Sequence, residues 1–101
     1  MQCFAIGDEF TLLGLRLIGI PGAVVKTPEE ASNAFQQAIR RQNIGLILIT
    51  ERVADTIKGA IEETRLGKKL PLVLEIPDRE GPIPGRETVV DLVRRTLGIR
   101  L

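Results

Sequence analysis

Carboxylates follow two apolar segments of this chain, where they could take part in chemistry. Asp8 and Glu9 follow the first segment, and Glu51 follows the second, directly after Thr50. Carboxylate oxygens suit a hard cation such as Mg²⁺. Asp8 and Glu51 could instead stabilise helix starts, where negative charge is favourable by ~0.3–1 kcal/mol. The sequence favours the role at the helix starts, so we expect no metal site, with Mg²⁺ binding as the alternative.

Other signs of catalysis are weak. The chain has no histidine and no glycine-rich phosphate-binding loop. A phosphotransfer domain would need an exposed, activated thiol at a strand end, whereas the single cysteine, Cys3, lies within an apolar segment and is interpreted as a core residue. A response-regulator receiver needs a phosphoacceptor aspartate where this chain has Thr50. The sequence favours an adaptor, with a receiver-like signalling or small-ligand-binding domain as the alternative.

Length and charge exclude several classes of partner. The 101 residues suffice for one domain, and 14 basic side chains nearly balance 13 acidic ones. Without a broad positive field, we expect no nucleic-acid partner. No segment approaches the ~18 apolar residues of a membrane span, so we expect no direct membrane insertion.

The elements that carry these residues alternate between strand-like and helical patterns. This alternation predicts a flavodoxin-like, receiver-like α/β domain of three layers. Its sheet would be parallel and four-stranded, in the order 2-1-3-4, because the first and third apolar segments suit central strands. The predicted strands span residues 2–6, 23–25, 44–49 and 72–76.

Helix starts are marked by capping residues. Asp8 is predicted to cap the first helix, which ends near Ile18, and Thr50 to cap the third. Thr27 and Glu30 form a capping box in which each side chain is expected to bond the other's backbone amide. Pro28 occupies the first helical position, where no donor is needed.

The first helix is apolar on nearly every side. We expect Phe10, Leu13 and Leu17, with Gly14, to pack on the sheet, which leaves Leu12 on the opposite side. A helix that is apolar all round is normally buried all round. We therefore predict that Leu12 is exposed in the isolated domain and binds a partner, with Arg16 beside it.

The end of the chain has a different composition. Residues 78–86 contain two prolines and two glycines, which predict a hinge between a globular domain, 1–77, and a C-terminal amphipathic helix, 87–101. We expect this helix to take more than one position, packed on its own domain or extended from it.

An ordered set of segments resembles a known family. At family-like spacing the chain is similar to the F subunit of the V-type (A-type) ATP synthases, in segments that cover its whole length: Ile6-Gly7-Asp8 with Thr11, Gly14, Leu17, Gly19 and Ile20, then Ile47-Leu48-Ile49-Thr50-Glu51, Leu70-Pro71, Glu75-Ile76-Pro77 and Leu97-Gly98-Ile99.

The resemblance implies a non-catalytic protein without a cofactor, which transmits or regulates rotation in the central stalk of an ion-translocating complex. It implies a peripheral position on the cytoplasmic face of the membrane. The partners would be the D subunit, which forms the coiled-coil shaft, and, through the C-terminal helix, the A and B subunits of the catalytic head. We expect Arg94 and Arg95 to face acidic groups there, with apolar contacts from Leu97, Ile99 and Leu101.

Overall fold

The computed structural model of the chain describes residues 2–67, 70–78 and 80–81. Four strands and four helices follow one another in these residues: β1 (Gln2–Gly7), α1 (Glu9–Leu17), β2 (Gly22–Val24), α2 (Pro28–Arg40), β3 (Ile44–Thr50), α3 (Glu51–Thr56), α4 (Lys58–Gly67) and β4 (Leu72–Ile76). The predicted C-terminal helix, 87–101, and most of the predicted hinge lie outside the described residues.

The four strands form one parallel sheet in the order β2-β1-β3-β4. This confirms the predicted flavodoxin-like α/β fold and its strand order. Ala5 stands beside Gly22 on one neighbour and beside Leu48 on the other, and Leu48 pairs with Leu74. The carboxyl ends of β1 and β3 therefore meet at one edge of the sheet, where Asp8 and Glu51 follow them.

The sheet is covered unequally on its two faces. Helix α2 packs on β1 and β3, and α3 and α4 pack on β3 and β4, whereas α1 packs on β1 and β2. The main core lies under α2, α3 and α4; its buried members are Ile6, Val25, Ala31, Phe35, Ala38, Ile44, Ile47, Ile49, Ala54, Ile57, Ile61 and Val73.

The predicted capping box is confirmed in one half and wrong in the other. Thr27 Oγ1 accepts a hydrogen bond from the Glu30 amide at 3.1 Å. The Glu30 carboxylate accepts from the Lys26 amide at 2.7 Å, and not from that of Thr27. The carboxylate thus stabilises the residue before the cap, because the extended backbone at Thr27 brings that amide within reach.

The third predicted helix is interrupted. α3 ends at Thr56, and Ile57, with φ −131° and ψ 35°, separates it from α4. Thr50 precedes α3 as predicted, but its side chain makes no capping hydrogen bond. The side chain is buried and its Cγ2 faces Gly7 of β1, so packing between the strands takes the place of capping.

Helix α1 is rotated relative to the sequence prediction. Leu12, predicted to be exposed, is buried with 1% of its surface accessible, and Phe10, Leu13 and Leu17, predicted to be buried, are exposed. The side chain of Leu12 lies over Gly7 and Gly22, where the missing Cβ atoms leave room for it. Two glycines on neighbouring strands therefore select which leucine of α1 enters the core.

The described helices are short. None of them is long and apolar enough to cross a membrane.

Candidate functional site

Asp8 lies between β1 and α1 and is the N-cap residue of α1. Its Oδ2 accepts a hydrogen bond from the Thr11 amide at 3.0 Å, and its Oδ1 accepts one from the Thr11 hydroxyl at 2.6 Å. Burial alone would raise the pKa of Asp8, but the hydrogen bonds from Thr11, together with those from the backbone amides of Asp8 and Phe10, outweigh it and hold the pKa below its ordinary value of 3.8. The carboxylate predicted as either a metal ligand or a helix cap acts as the cap.

We expect Asp8→Ala to lower the free energy of unfolding by about 1 kcal/mol at neutral pH, because the cap is lost. A carboxylate whose pKa is lowered by folding stabilises the fold above its unfolded pKa, and the stabilisation disappears as the pH falls through the folded pKa. The difference between wild type and variant, measured by urea unfolding, should therefore shrink below pH 3.8. Asp8→Asn, which keeps an acceptor oxygen but cannot titrate, is the control: the difference between Asp8→Asn and Asp8→Ala should not change over the same pH range.

At the end of β3, both polar side chains turn inward. Thr50 and Glu51 are buried, at 1% and 5% exposure. A phosphoacceptor must be accessible to its donor, so the burial of Thr50 gives no support to receiver chemistry at this position. No group of three or more His, Cys, Asp or Glu side chains in the described part of the chain is arranged to hold a metal ion.

Next to this edge of the sheet, Arg52 of α3 contacts the segment that leaves β4. Its guanidinium donates to the Asp78 carboxylate and to the Gly81 carbonyl, the latter at 3.4 Å, and it pairs with Glu80 at 3.2 Å. The hydrogen bond to Asp78 raises the pKa of Arg52. Asp78, Glu80 and Gly81 are thereby attached to the globular domain before the chain continues.

The surface of α1 that faces away from the sheet is apolar. We call it the α1 outer face; it consists of Phe10, Leu13, Gly14 and Leu17, with Leu13 58% and Leu17 80% exposed. Val24 of the edge strand β2 is also exposed, and it lines a shallow groove with Leu13, Arg16 and Lys26. Such a patch on a small domain is typical of a protein interaction surface.

A second apolar surface lies on the same side of the sheet as α1. We call it the β3–β4 sheet face; Leu72 on it is exposed and the others are half-buried: Leu46, Leu48, Leu74 and Ile76. The strand register places them on the same side as Ala5 and Gly7, and Leu12 of α1 lies over Gly7. α1 packs on β1 and β2, so it leaves β3 and β4 largely uncovered on this side.

The predicted partner-binding residues fall into three groups. Leu12 is buried between α1 and the sheet, so its side chain is not accessible to a partner. Arg16 is exposed, at the border of the α1 outer face. The remaining residues lie outside the described part of the chain: Arg94, Arg95, Leu97, Ile99 and Leu101.

Sequence reasoning missed Phe10, Leu13 and Leu17 as candidate interface residues. The spacing of apolar residues could not distinguish the two sides of α1, because apolar residues occur on both. A signal was available in the strands, since Gly7 and Gly22 predict a gap that a large side chain must fill.

The chain is similar in sequence to several proteins of one family. The chain is 39% identical to the F subunit of the A-type ATP synthase of Methanothermobacter thermautotrophicus, over 95% of this chain and 92% of that protein. It is 37% identical to that of Pyrococcus furiosus, over 100% and 98% of the two chains, and 32% identical to that of Methanocaldococcus jannaschii, over 100% and 99%. The model of the ATP synthase (F/14-kDa) subunit matches residues 3–93. The chain therefore belongs to the family of the ATP synthase (F/14-kDa) subunit.

Proposed function

We propose that this protein is the non-catalytic F subunit of a rotary A-type (V-type) ATP synthase. In this role it binds the D subunit, the coiled-coil shaft of the central stalk, and transmits or regulates rotation. The observation that carries the proposal is the similarity, over nearly the full length of both chains, to proteins named as the F subunit of A-type ATP synthases. We place it with the complex on the cytoplasmic face of the membrane.

The use of the polar residues supports a non-catalytic role. Asp8 serves as a helix cap, and the Thr50 hydroxyl lies in the interior of the fold. The apolar residues support a role in assembly, because the α1 outer face and the β3–β4 sheet face both offer surfaces for packing.

We further propose that residues 87–101 contact the A and B subunits of the catalytic head. The sequence supports this through Arg94 and Arg95, which suit acidic partners, and through an apolar end at Leu97, Ile99 and Leu101. The energy gap between two positions of such a helix need only be a few kcal/mol. The binding of a partner could therefore supply enough free energy to move this helix from one position to the other.

The β3–β4 sheet face suits the position in which this helix packs on its own domain. The described chain leaves β4 and reaches Gly81 beside Arg52 of α3, near the carboxyl ends of β3 and β4. A helix over residues 87–101 would be roughly 22 Å long at ~1.5 Å per residue. The five residues of β4 span roughly 16 Å. The C-terminal segment is therefore long enough to cover this strand along its whole length.

Deletion of residues 82–101 tests the regulatory part of the proposal. The deletion begins after Gly81 because Arg52 bonds Asp78, Glu80 and Gly81. We expect the shortened protein to fold and to bind the shaft protein of its own organism. We expect ATP hydrolysis by the reconstituted head and stalk to rise about two- to tenfold, because contacts broken in each rotary step are removed, which lowers the barrier by ~0.4–1.4 kcal/mol.

The measurements separate the parts of this proposal. Circular dichroism reports folding, gel filtration with the shaft protein reports binding, and steady-state hydrolysis reports regulation. Failure of the full-length chain to form a one-to-one complex with the shaft protein would contradict the proposed function itself. Unchanged hydrolysis after the deletion would remove only the regulatory role of residues 82–101.

A further inference from the structure

The exposed residues of α1 follow the spacing of a coiled-coil seam. Phe10, Leu13 and Leu17 are separated by three and then four residues, the spacing of successive core positions in a heptad. Side chains at this spacing line up along one side of a helix. A partner helix would find a continuous row of large apolar side chains on α1.

Gly14 lies beside this row and permits close approach. A Cβ atom built at Gly14 would meet nothing within 4 Å, so the space above the helix is open. Small residues between large ones let two helix backbones come together. The shape of the α1 outer face therefore suits a partner helix. Phe10, Leu13 and Leu17 project from it, and Gly14 leaves a gap beside them.

The border of the face carries charge that suits an acidic partner. Arg16 and Lys26 line the groove that joins α1 to β2, and within the part of the chain that the structure describes neither forms an ion pair. Glu9 lines the same groove near the start of α1. Acidic side chains opposite Arg16 and Lys26 would complement this border and set the direction of the partner helix.

The β3–β4 sheet face does not compete for the same occupant. Leu12 points to the sheet, and Leu13 and Leu17 lie about 100–140° from it around the helix. Leu13 borders the β2 side, next to Val24. A segment packed on β3 and β4 would lie along the opposite side of α1, so the α1 outer face would remain available for another chain.

From these observations we infer that the α1 outer face is the surface that binds the shaft of the proposed complex. Its occupant is a coiled-coil helix whose apolar heptad positions are bordered by acidic residues. The inference rests on the proposed function and adds to it the location of the interface, the residues that form it and the chemistry of the partner.

The test compares two leucines of the α1 outer face with one exposed leucine of α4, on the other side of the sheet. Leu17→Glu and Leu13→Glu change the α1 outer face, and Leu66→Glu changes α4, where Leu66 is 90% exposed. The full-length chain and each variant are titrated by calorimetry with the coiled-coil shaft protein of the same organism. Urea unfolding verifies that each variant remains folded.

We expect the wild type and Leu66→Glu to bind with equal affinity. Leu17→Glu and Leu13→Glu should each raise the dissociation constant about 10- to 100-fold, because a carboxylate would have to be buried against an apolar stripe. Arg16→Glu should weaken binding less, and its effect should diminish at high salt, because its contribution is electrostatic.

Other results would overturn the inference in identifiable ways. Loss of binding with Leu66→Glu and not with Leu17→Glu would move the interface to the α4 side. Concentration-dependent dimers of the free chain, abolished by Leu17→Glu, would identify a second copy as the occupant. If wild type does not bind the shaft protein at all, the proposed function fails before the location of the interface is in question.

A separate experiment tests whether the chain's own residues 82–101 cover the α1 outer face. In a Cys3→Ser background, Leu17→Cys and Leu66→Cys are labelled with a maleimide in the free full-length protein. Equal rates are expected, because both side chains are exposed. Protection of position 17 in the free protein that is lost when residues 82–101 are deleted would identify those residues as the occupant and overturn the inference.

Discussion

Replacement of Leu12 by alanine is expected to lower the free energy of unfolding by about 3–5 kcal/mol, the range measured for leucines buried in other cores. Leu12 is 1% exposed, and its methyl groups lie over Gly7 and Gly22. The space that they leave is bordered by backbone, which cannot collapse into it. The chain has no Trp or Tyr, so urea unfolding followed by circular dichroism is the suitable measurement.

The neighbouring leucine is a matched control. Leu13 is 58% exposed on α1, so Leu13→Ala should change the free energy of unfolding by less than about 0.5 kcal/mol. The two substitutions remove the same atoms from adjacent residues of one helix. A larger cost for Leu13→Ala than for Leu12→Ala would mean that α1 has the orientation that the sequence pattern predicts, and the structural account of α1 would be wrong.

Substitution of Gly22 by alanine is expected to lower the free energy of unfolding by about 3 kcal/mol. A Cβ atom at Gly22 would lie 2.3 Å from the Ala5 carbonyl oxygen and 2.4 Å from Leu12 Cδ1. The first contact is with backbone of the paired strand β1, so relief requires β1 and β2 to separate. The measurement is again the urea midpoint and its slope.

Gly14→Ala is the corresponding control. Gly14 lies in the exposed side of α1 with open space around it, and alanine is the better helix former by ~1 kcal/mol. We expect this substitution to raise the free energy of unfolding. Equal effects of the two glycine substitutions would contradict the close approach of β1, β2 and Leu12.

Local sequence patterns were sufficient to predict the sheet. Four apolar segments separated by helical patterns led to the strand order β2-β1-β3-β4, because right-handed crossovers leave few arrangements. β4 has the predicted bounds, β1 and β3 each extend one residue beyond the prediction, and β2 begins and ends one residue earlier than predicted. The helix start at Thr27 was also predictable, because a cap depends on residues within one turn.

The sequence predicted some residues of the candidate site, but it did not predict which of them contact one another. The sequence alone indicated that Asp8 begins a helix and that α1 has more apolar residues than one core face needs. It did not indicate that Arg52 contacts Asp78 and Glu80, because these residues are distant along the chain and meet only when β3 and β4 are paired.

The orientation of α1 shows where sequence reasoning ends. Periodicity assigns a helix to the core when one side is polar, and α1 has too few polar residues to mark that side. Only the pairing of β1 with β2 brings Gly7 and Gly22 together beneath Leu12, and steric fit then determines the rotation of the helix. The sequence thus determined the elements and their order, because these depend on neighbouring residues. The tertiary structure decided which leucines remain exposed, because that depends on packing between segments that are distant in the chain.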